Sequence, residues 1–206
     1  QMIYPTTLTR VTESGLLYGL PQKDNEFMSH CMSVIRYPEA CTLHTMGSLI
    51  GDYMQTALGY TSPFAITIGI IVEEFESTRN KTQMVAARAT QKADSPMARF
   101  MPELRDIKTD WDLAQKSFDD GKGTVKMLHQ LVLFATPKEV ARAEQAAQAV
   151  WRAKQFEVAD DSYMQVQGVL ATLPMTFTPA FQRDLKLAQR LTTKTSFNAV
   201  NMAPLI

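Results

Sequence analysis

Thr124-Val125-Lys126-Met127-Leu128-His129-Gln130-Leu131-Val132-Leu133-Phe134-Ala135 is the stretch that decides the fold. Successive side chains of a strand alternate between faces. Leu128, Val132 and Phe134 therefore share one face, and Val125, Met127, Leu131 and Leu133 share the other. The run is bounded by punctuation on both sides. Asp119-Asp120-Gly121-Lys122-Gly123 stops a helix before it, and Thr136-Pro137-Lys138-Glu139 starts one after it. There the Thr hydroxyl can cap, Pro occupies the first helical position, and Glu returns a bond three residues on. The spacing predicts a helix from this start to Lys154, burying Val140, Ala143, Ala147, Val150 and Trp151, followed by a short strand over Phe156–Ala159.

Working upstream, Ser77–Phe118 is helical with a break at Asp94-Ser95-Pro96 and a second restriction at Pro102. After that proline, Leu104, Ile107, Trp111, Ala114 and Phe118 form a stripe at helical spacing. Phe64–Glu73 is a second strand, rich in Ile and Val and expected to be central. Glu39–Leu58 carries Leu43, Met46, Ile50, Met54 and Leu58 at steps of three or four, so it is expected to be a helix, weakened by Gly47 and Gly51 and capped by Gly59. Phe27–Tyr37 is a strand with apolar groups on both faces, ended by Pro38. Thr7–Thr12 and Gly15–Leu20, joined by Glu13-Ser14, suggest a hairpin, with a polar turn over Pro21–Glu26. Downstream, Asp161 and Ser162 can cap a helix ending near Leu173-Pro174, and Thr178-Pro179 opens a last helix with Phe181, Leu185, Ala188 and Leu191 inward.

From Phe27 to Ala159 the order is strand, helix, strand, long helical insert, strand, helix, strand. This is an α+β chain, a ferredoxin-like split βαβ sheet with helices on one face, a long helical insert and extra C-terminal helices. Residues 1–26 are a β-hairpin or loose arm, 27–160 the α+β domain with its insert at about 77–120, and 161–206 a helical segment.

The 206 residues suit one domain, or one with an appendage. Lys+Arg and Asp+Glu both number 21, so the formal charge is zero, which argues against a chain built to coat nucleic acid; no direct nucleic-acid binding is expected. Two cysteines are too few for a disulfide framework and point to a reducing compartment. No apolar run approaches the roughly 20 residues of a membrane-spanning helix. Gln1 and the apolar tail Asn201–Ile206 read as cut points of a longer chain.

The chemistry-bearing residues are few. Gly121-Lys122-Gly123-Thr124 has the letters of a phosphate loop but not its spacing, and it runs from helix to strand instead of strand to helix. His30, Cys31, Cys41 and His44 are the only metal-like cluster, yet His30 and Cys31 point to opposite faces of one strand. His129 sits mid-strand with no nucleophile nearby in sequence; Asp119-Asp120 and Asp160-Asp161 lie at element ends, where Asp caps or is solvated, and Glu73, Glu74 and Glu76 suit a helix start. No catalytic, cofactor-binding or metal-binding residue is expected. Met97, Arg99, Phe100 and Met101 differ: they place large apolar groups at a helix break on a projecting insert, and they are the candidate protein interface.

From Phe64 onward the sequence resembles the TraC-type ATPases of conjugative type IV secretion systems, the F-plasmid branch of the VirB-type ATPases. The resemblance is carried by Ile68-Gly69-Ile70-Ile71-Val72-Glu73-Glu74, Arg99–Trp111, Gly123-Thr124-Val125, the helix Val140–Trp151 with Phe156-Glu157, Leu170-Ala171-Thr172-Leu173-Pro174 and the tail Ser196–Leu205; Arg36-Tyr37-Pro38-Glu39 also fits. It implies a domain that precedes a RecA-like motor and links it to inner-membrane channel proteins in pilus assembly and DNA transfer. It further implies a cytoplasmic location at the bacterial inner membrane and a hexameric parent. ATP and Mg would belong to the motor, not to this segment, so no enzyme activity is expected of it. The rival reading is a stand-alone RNA- or ligand-binding module, which would stack bases on sheet aromatics such as Phe134 and Phe64.

Overall fold

The computed structural model describes residues 8–19, 26–38, 40–51, 55, 58–101 and 103–203, apart from the side chains of Leu43, His44 and Met97. All but Glu26 of the turn expected over Pro21–Glu26, together with Glu39, Met54, Pro102 and the tail 204–206, lies outside these residues. Strands β1 (Thr9–Thr12) and β2 (Gly15–Tyr18) form the N-terminal hairpin. Three longer or internal strands follow, β3 (Phe27–Arg36), β4 (Phe64–Val72) and β5 (Thr124–Ala135), then two short ones, β6 (Glu157–Asp160) and β7 (Thr192–Thr195). The neighbour order is β1–β2–β3–β5–β4, with β6 also on β3 and β7 also on β5. Across β6, β3, β5 and β4 this is the order that two interleaved βαβ halves produce, and the chain is of the α+β class.

Strand β4 lies at the end of this order, not in the centre. Its density of Ile and Val suggested burial on both faces, but Ile70 and Val72 are exposed. A mostly apolar run reports half-burial as readily as full burial when the strand is an edge. The helix expected over Glu39–Leu58 is also shorter where it is described. Helix α1 spans Leu43–Gly47 and tightens into a 3-10 turn over Ser48–Ile50. Gly51 then takes φ 116°, a conformation no helix contains.

Both faces of the β3–β5 pair are covered. The register sets Cys31 opposite Val132 and His30 opposite Leu133, which sorts the side chains by face. On the His30 side lies α4 (Val140–Ala153), whose Ala143, Ala147, Val150 and Trp151 are buried. Trp151 packs on His129 at 5.2 Å and on Phe156 at 5.4 Å between ring centroids. Its indole N–H donates to the Tyr60 hydroxyl (2.9 Å), which in turn donates to the Leu49 carbonyl (2.8 Å). On the Cys31 side lies α5 (Gln165–Thr172), where Gly168 allows backbone to touch Cys31 and accepts from Gln130 Nε2 at 2.5 Å. The expectation of helices on one face is therefore corrected. A sheet apolar on both sides needs two covers, and the C-terminal α5 supplies the second.

Helix α4 begins later than expected. Thr136 Oγ1 donates to the Glu139 carboxylate (2.8 Å) instead of accepting a backbone amide, and 137–139 form a turn. Asp161 does not cap α5 either; it is buried, as described below. Helix α6 (Pro179–Leu187) follows its sequence signal, with Thr178 Oγ1 accepting from the Phe181 amide.

The chain divides into two compact units. The first takes Gln1–Gly69, Leu128–Arg190 and Asn201–Ile206, and the second takes Ile70–Met127 and Leu191–Val200. In the second unit α2 (Phe75–Ala93) and α3 (Glu103–Asp119) form an antiparallel-type helical hairpin, joined through a 3-10 turn at Pro96–Arg99. The same unit holds β7, which pairs Thr192–Thr195 with Met127–Thr124, and most of α7 (Ser196–Met202). Strand β7 has no apolar alternation, only Thr192-Thr193-Lys194-Thr195, so nothing in the pattern announces it.

Candidate interaction surface

The hairpin is closed from within by small and aromatic residues. Thr78, Thr82, Ala86 and Ala89 recur at helical spacing and form the buried stripe of α2. Phe75 meets Phe118 edge-on at 5.4 Å, and Arg79 lies 3.7 Å from Asp119 at the same end. At the other end Lys108 lies 3.7 Å from Asp94. The break is built as its residues require. The Asp94 amide closes α2 onto Thr90 (2.9 Å), Ser95 Oγ donates to the Lys92 carbonyl (2.6 Å), and buried Ala98 anchors the 3-10 turn.

Past that anchor the chain turns outward. Phe100 is 88% exposed and Met101 45% exposed, and Arg99 beside them is exposed. The Met97 side chain lies outside the described residues. The apolar stripe expected on α3 is buried only at Phe118; Leu104 and Trp111 are half-buried and Ile107 is 45% exposed. Burying a Phe side chain is worth about 1.5–3 kcal/mol, so this unit leaves substantial apolar burial unused.

The remaining candidates fall elsewhere. The Gly121 amide donates to the Phe118 carbonyl and the Lys122 amide to that of Ser117 (2.9 and 2.8 Å). With those amides closing α3, Gly121-Lys122-Gly123-Thr124 does not fit a phosphate. Beside it lies a cleft of about 630 Å³ with mixed charges, among them Lys116, Lys122, Asp110 and Asp120. Lys122 Nζ is 3.8 Å from Asp120.

In the first unit, titratable groups gather around Gln165. Ser33 Oγ donates to buried Asp161 (2.5 Å), and Arg190 pairs with the same carboxylate. Cys31 has its thiol pushed up to about 12 by burial, then by the charge of Asp160, so it stays protonated and is no nucleophile. His30 Nδ1 lies 2.6 Å from the Ser14 carbonyl, and its Nε2 lies 3.6 Å from Asp160 and 3.9 Å from Glu144. Cys41 is half-buried and the His44 side chain is outside the described residues. Among the described residues no group of three or more His, Cys, Asp or Glu could hold a metal. His129 is packed with Tyr37, Trp151 and Phe156. Phe134 is stacked on Phe27 and Phe64 on Tyr60, so each aromatic has one ring face taken by a neighbour, and both are half-buried.

Sequence reasoning missed Gln165, whose polar side chain inside an apolar helix was the available signal. It also missed the outward-facing α3 stripe, because helical spacing reveals a face without revealing what covers it.

Comparison with known proteins adds the following. A family model described as TraC protein matches residues 1–177. Protein TraC of Escherichia coli (strain K12) is 22% identical over 202 residues, covering 96% of this chain and 23% of that protein. The chain thus spans less than a quarter of the curated relative it matches. Among the described residues no helix is long and apolar enough to cross a membrane.

Proposed function

Since the chain belongs to the TraC protein family, we propose that it is a non-catalytic coupling domain of a conjugative type IV secretion ATPase. It connects a RecA-like motor, where ATP and Mg act, to inner-membrane channel proteins during pilus assembly and DNA transfer. Its parent works as a hexamer in the cytoplasm at the inner membrane. The strand order β6–β3–β5–β4 supports a ferredoxin-like body, and the α2–α3 hairpin is its contact element. The observation that carries the contact is the exposed pair Phe100 and Met101 behind a buried Ala98 anchor. Large apolar side chains held out on a well-anchored turn serve a partner better than they serve their own fold.

The test is Phe100→Asp in the full-length parent. Transfer and pilus production are expected to fall while ATP hydrolysis and thermal stability stay unchanged. Normal transfer with Phe100→Asp, or measurable hydrolysis by this chain alone, defeats the reading.

A further inference from the structure

The α2–α3 hairpin carries a groove whose lining specifies an occupant. On α2 it is lined by Val85, Arg88 and Lys92, and on α3 by Leu104, Ile107 and Trp111, enclosing about 350 Å³. These positions fall at helical spacing on each helix, so they are two parallel stripes facing the same way. A second hollow of about 300 Å³ shares Ile107 and Trp111 and continues to Ala114. Leu104 to Ala114 is about 15 Å of helix at 1.5 Å per residue. A trough of that length with apolar walls on two helices is what a third helix packs into.

Charge selects which helix. Arg88 and Lys92 are four residues apart on one face of α2, both exposed. Like charges at that spacing repel each other and weaken a helix. Among the described residues neither lies within 4 Å of a carboxylate in an ion pair, whereas Lys108 and Arg79 of the same hairpin do. The 350 Å³ groove has no acidic lining residue; Asp110 enters only at the far hollow.

We propose that this trough docks an amphipathic helix of a partner protein that carries acidic side chains against Arg88 and Lys92 and none against Asp110. The proposal rests on reading the hairpin as a protein contact and names the chemistry of the contact.

Trp111 is a built-in reporter, because the other tryptophan, Trp151, is fully buried. This chain is titrated with two synthetic amphipathic peptides of about 18 residues, one of Leu, Ala and Glu and one of Leu, Ala and Lys. The Glu peptide is expected to bind saturably with a blue shift of Trp111 emission, about ten-fold tighter than the Lys peptide. Arg88→Glu with Lys92→Glu inverts that preference, and Ile107→Asp removes binding of both. Should the double reversal unfold the chain, raising salt on the unaltered protein serves instead: the difference between peptides collapses at about 0.5 M, where the screening length is a few ångströms. Equal binding of both peptides, no saturable binding, or an emission shift driven by protein concentration alone, which would make a second copy the occupant, overturns the proposal. If one of these results comes with a Phe100→Asp transfer defect, the partner chemistry falls and the coupling role stands.

Discussion

Gln165 completes a sheet edge that no strand completes. On that edge of β3, β2 pairs only as far as Ser29, and β6 begins opposite Met32, so the peptide groups of Cys31 fall in the gap. The Gln165 carboxamide fills it. Its Oε1 accepts from the Cys31 amide at 2.7 Å, and its Nε2 donates to the Cys31 carbonyl (3.2 Å), Asp160 Oδ1 (3.1 Å) and the Asp161 carbonyl (3.1 Å). Gln165→Met keeps the volume and removes all four bonds. The Cys31 carbonyl retains the Asp161 amide (3.0 Å), but the Cys31 amide is left buried and unpaired. An orphaned buried donor costs about 1–3 kcal/mol and the other lost bonds about 1 kcal/mol more, for a total of about 2–4 kcal/mol. In a chain of this size that lowers Tm by about 5–15 °C. The assay is urea denaturation at constant m-value, with hydrogen exchange of the Cys31 amide as the local readout. A change below about 0.5 kcal/mol with the Cys31 amide still protected would refute the reasoning, since the bonds assigned to Gln165 would then be dispensable.

Three further outcomes follow from the same unit. A Cβ at position 168 would lie 2.7 Å from Cys31 Sγ and 2.8 Å from its Cβ, so Gly168→Ala should cost about 1–3 kcal/mol in thermal melts, whereas Gly47→Ala, with nothing within 4 Å, should be neutral or mildly stabilising. Arg190→Ala strands the Asp161 carboxylate in the interior and should cost about 3–5 kcal/mol, most of it recovered by the double change Asp161→Asn with Arg190→Met. The Cys31 thiol is raised from 9.0 to about 12, so the fold favours its neutral form; that contribution is complete below pH 9 and is lost as pH climbs toward 12. Denaturation midpoints should therefore fall across that window by up to about 1.4 kcal/mol per pH unit from this group. Cys31→Ala should flatten the slope in part, leaving the share of Tyr60, which burial also raises to about 12.

Where local signals and packing agree, the fold is legible in the residues. Strand β5 is bounded by a glycine stop and a proline start, α2 and α3 break at Asp94-Ser95-Pro96, and α6 opens at Thr178-Pro179. Misreadings arise where neighbours decide. Strand β4 has a core-like composition but an edge position, set by which strands reach β5. Strand β7 is polar throughout and exists because β5 offers Thr124–Met127 as a partner. Asp161 looks like a cap because it precedes a helix, and it is drawn inward by Arg190, a residue distant in sequence. In the candidate surface Phe100 and Met101 stand out from sequence as unsupported apolar residues, and they are exposed in the folded chain. The groove beside them could not be read that way, since the Leu104–Trp111 stripe looks the same whether it faces a core or a vacancy.

The interval of β3 bridged by Gln165 also bears on how the chain is made. Cys31 waits for a partner 134 positions downstream, and β6 arrives only at Glu157. A ribosome therefore releases β1, β2 and β5 well before the rim of β3 is sealed, and contacts so distant in sequence form late. Any truncation ending before Glu157 leaves unsatisfied backbone donors on a strongly apolar ribbon, a template for self-recruitment. Expression of such fragments is expected to give insoluble material, whereas chains reaching beyond Arg190 stay in solution.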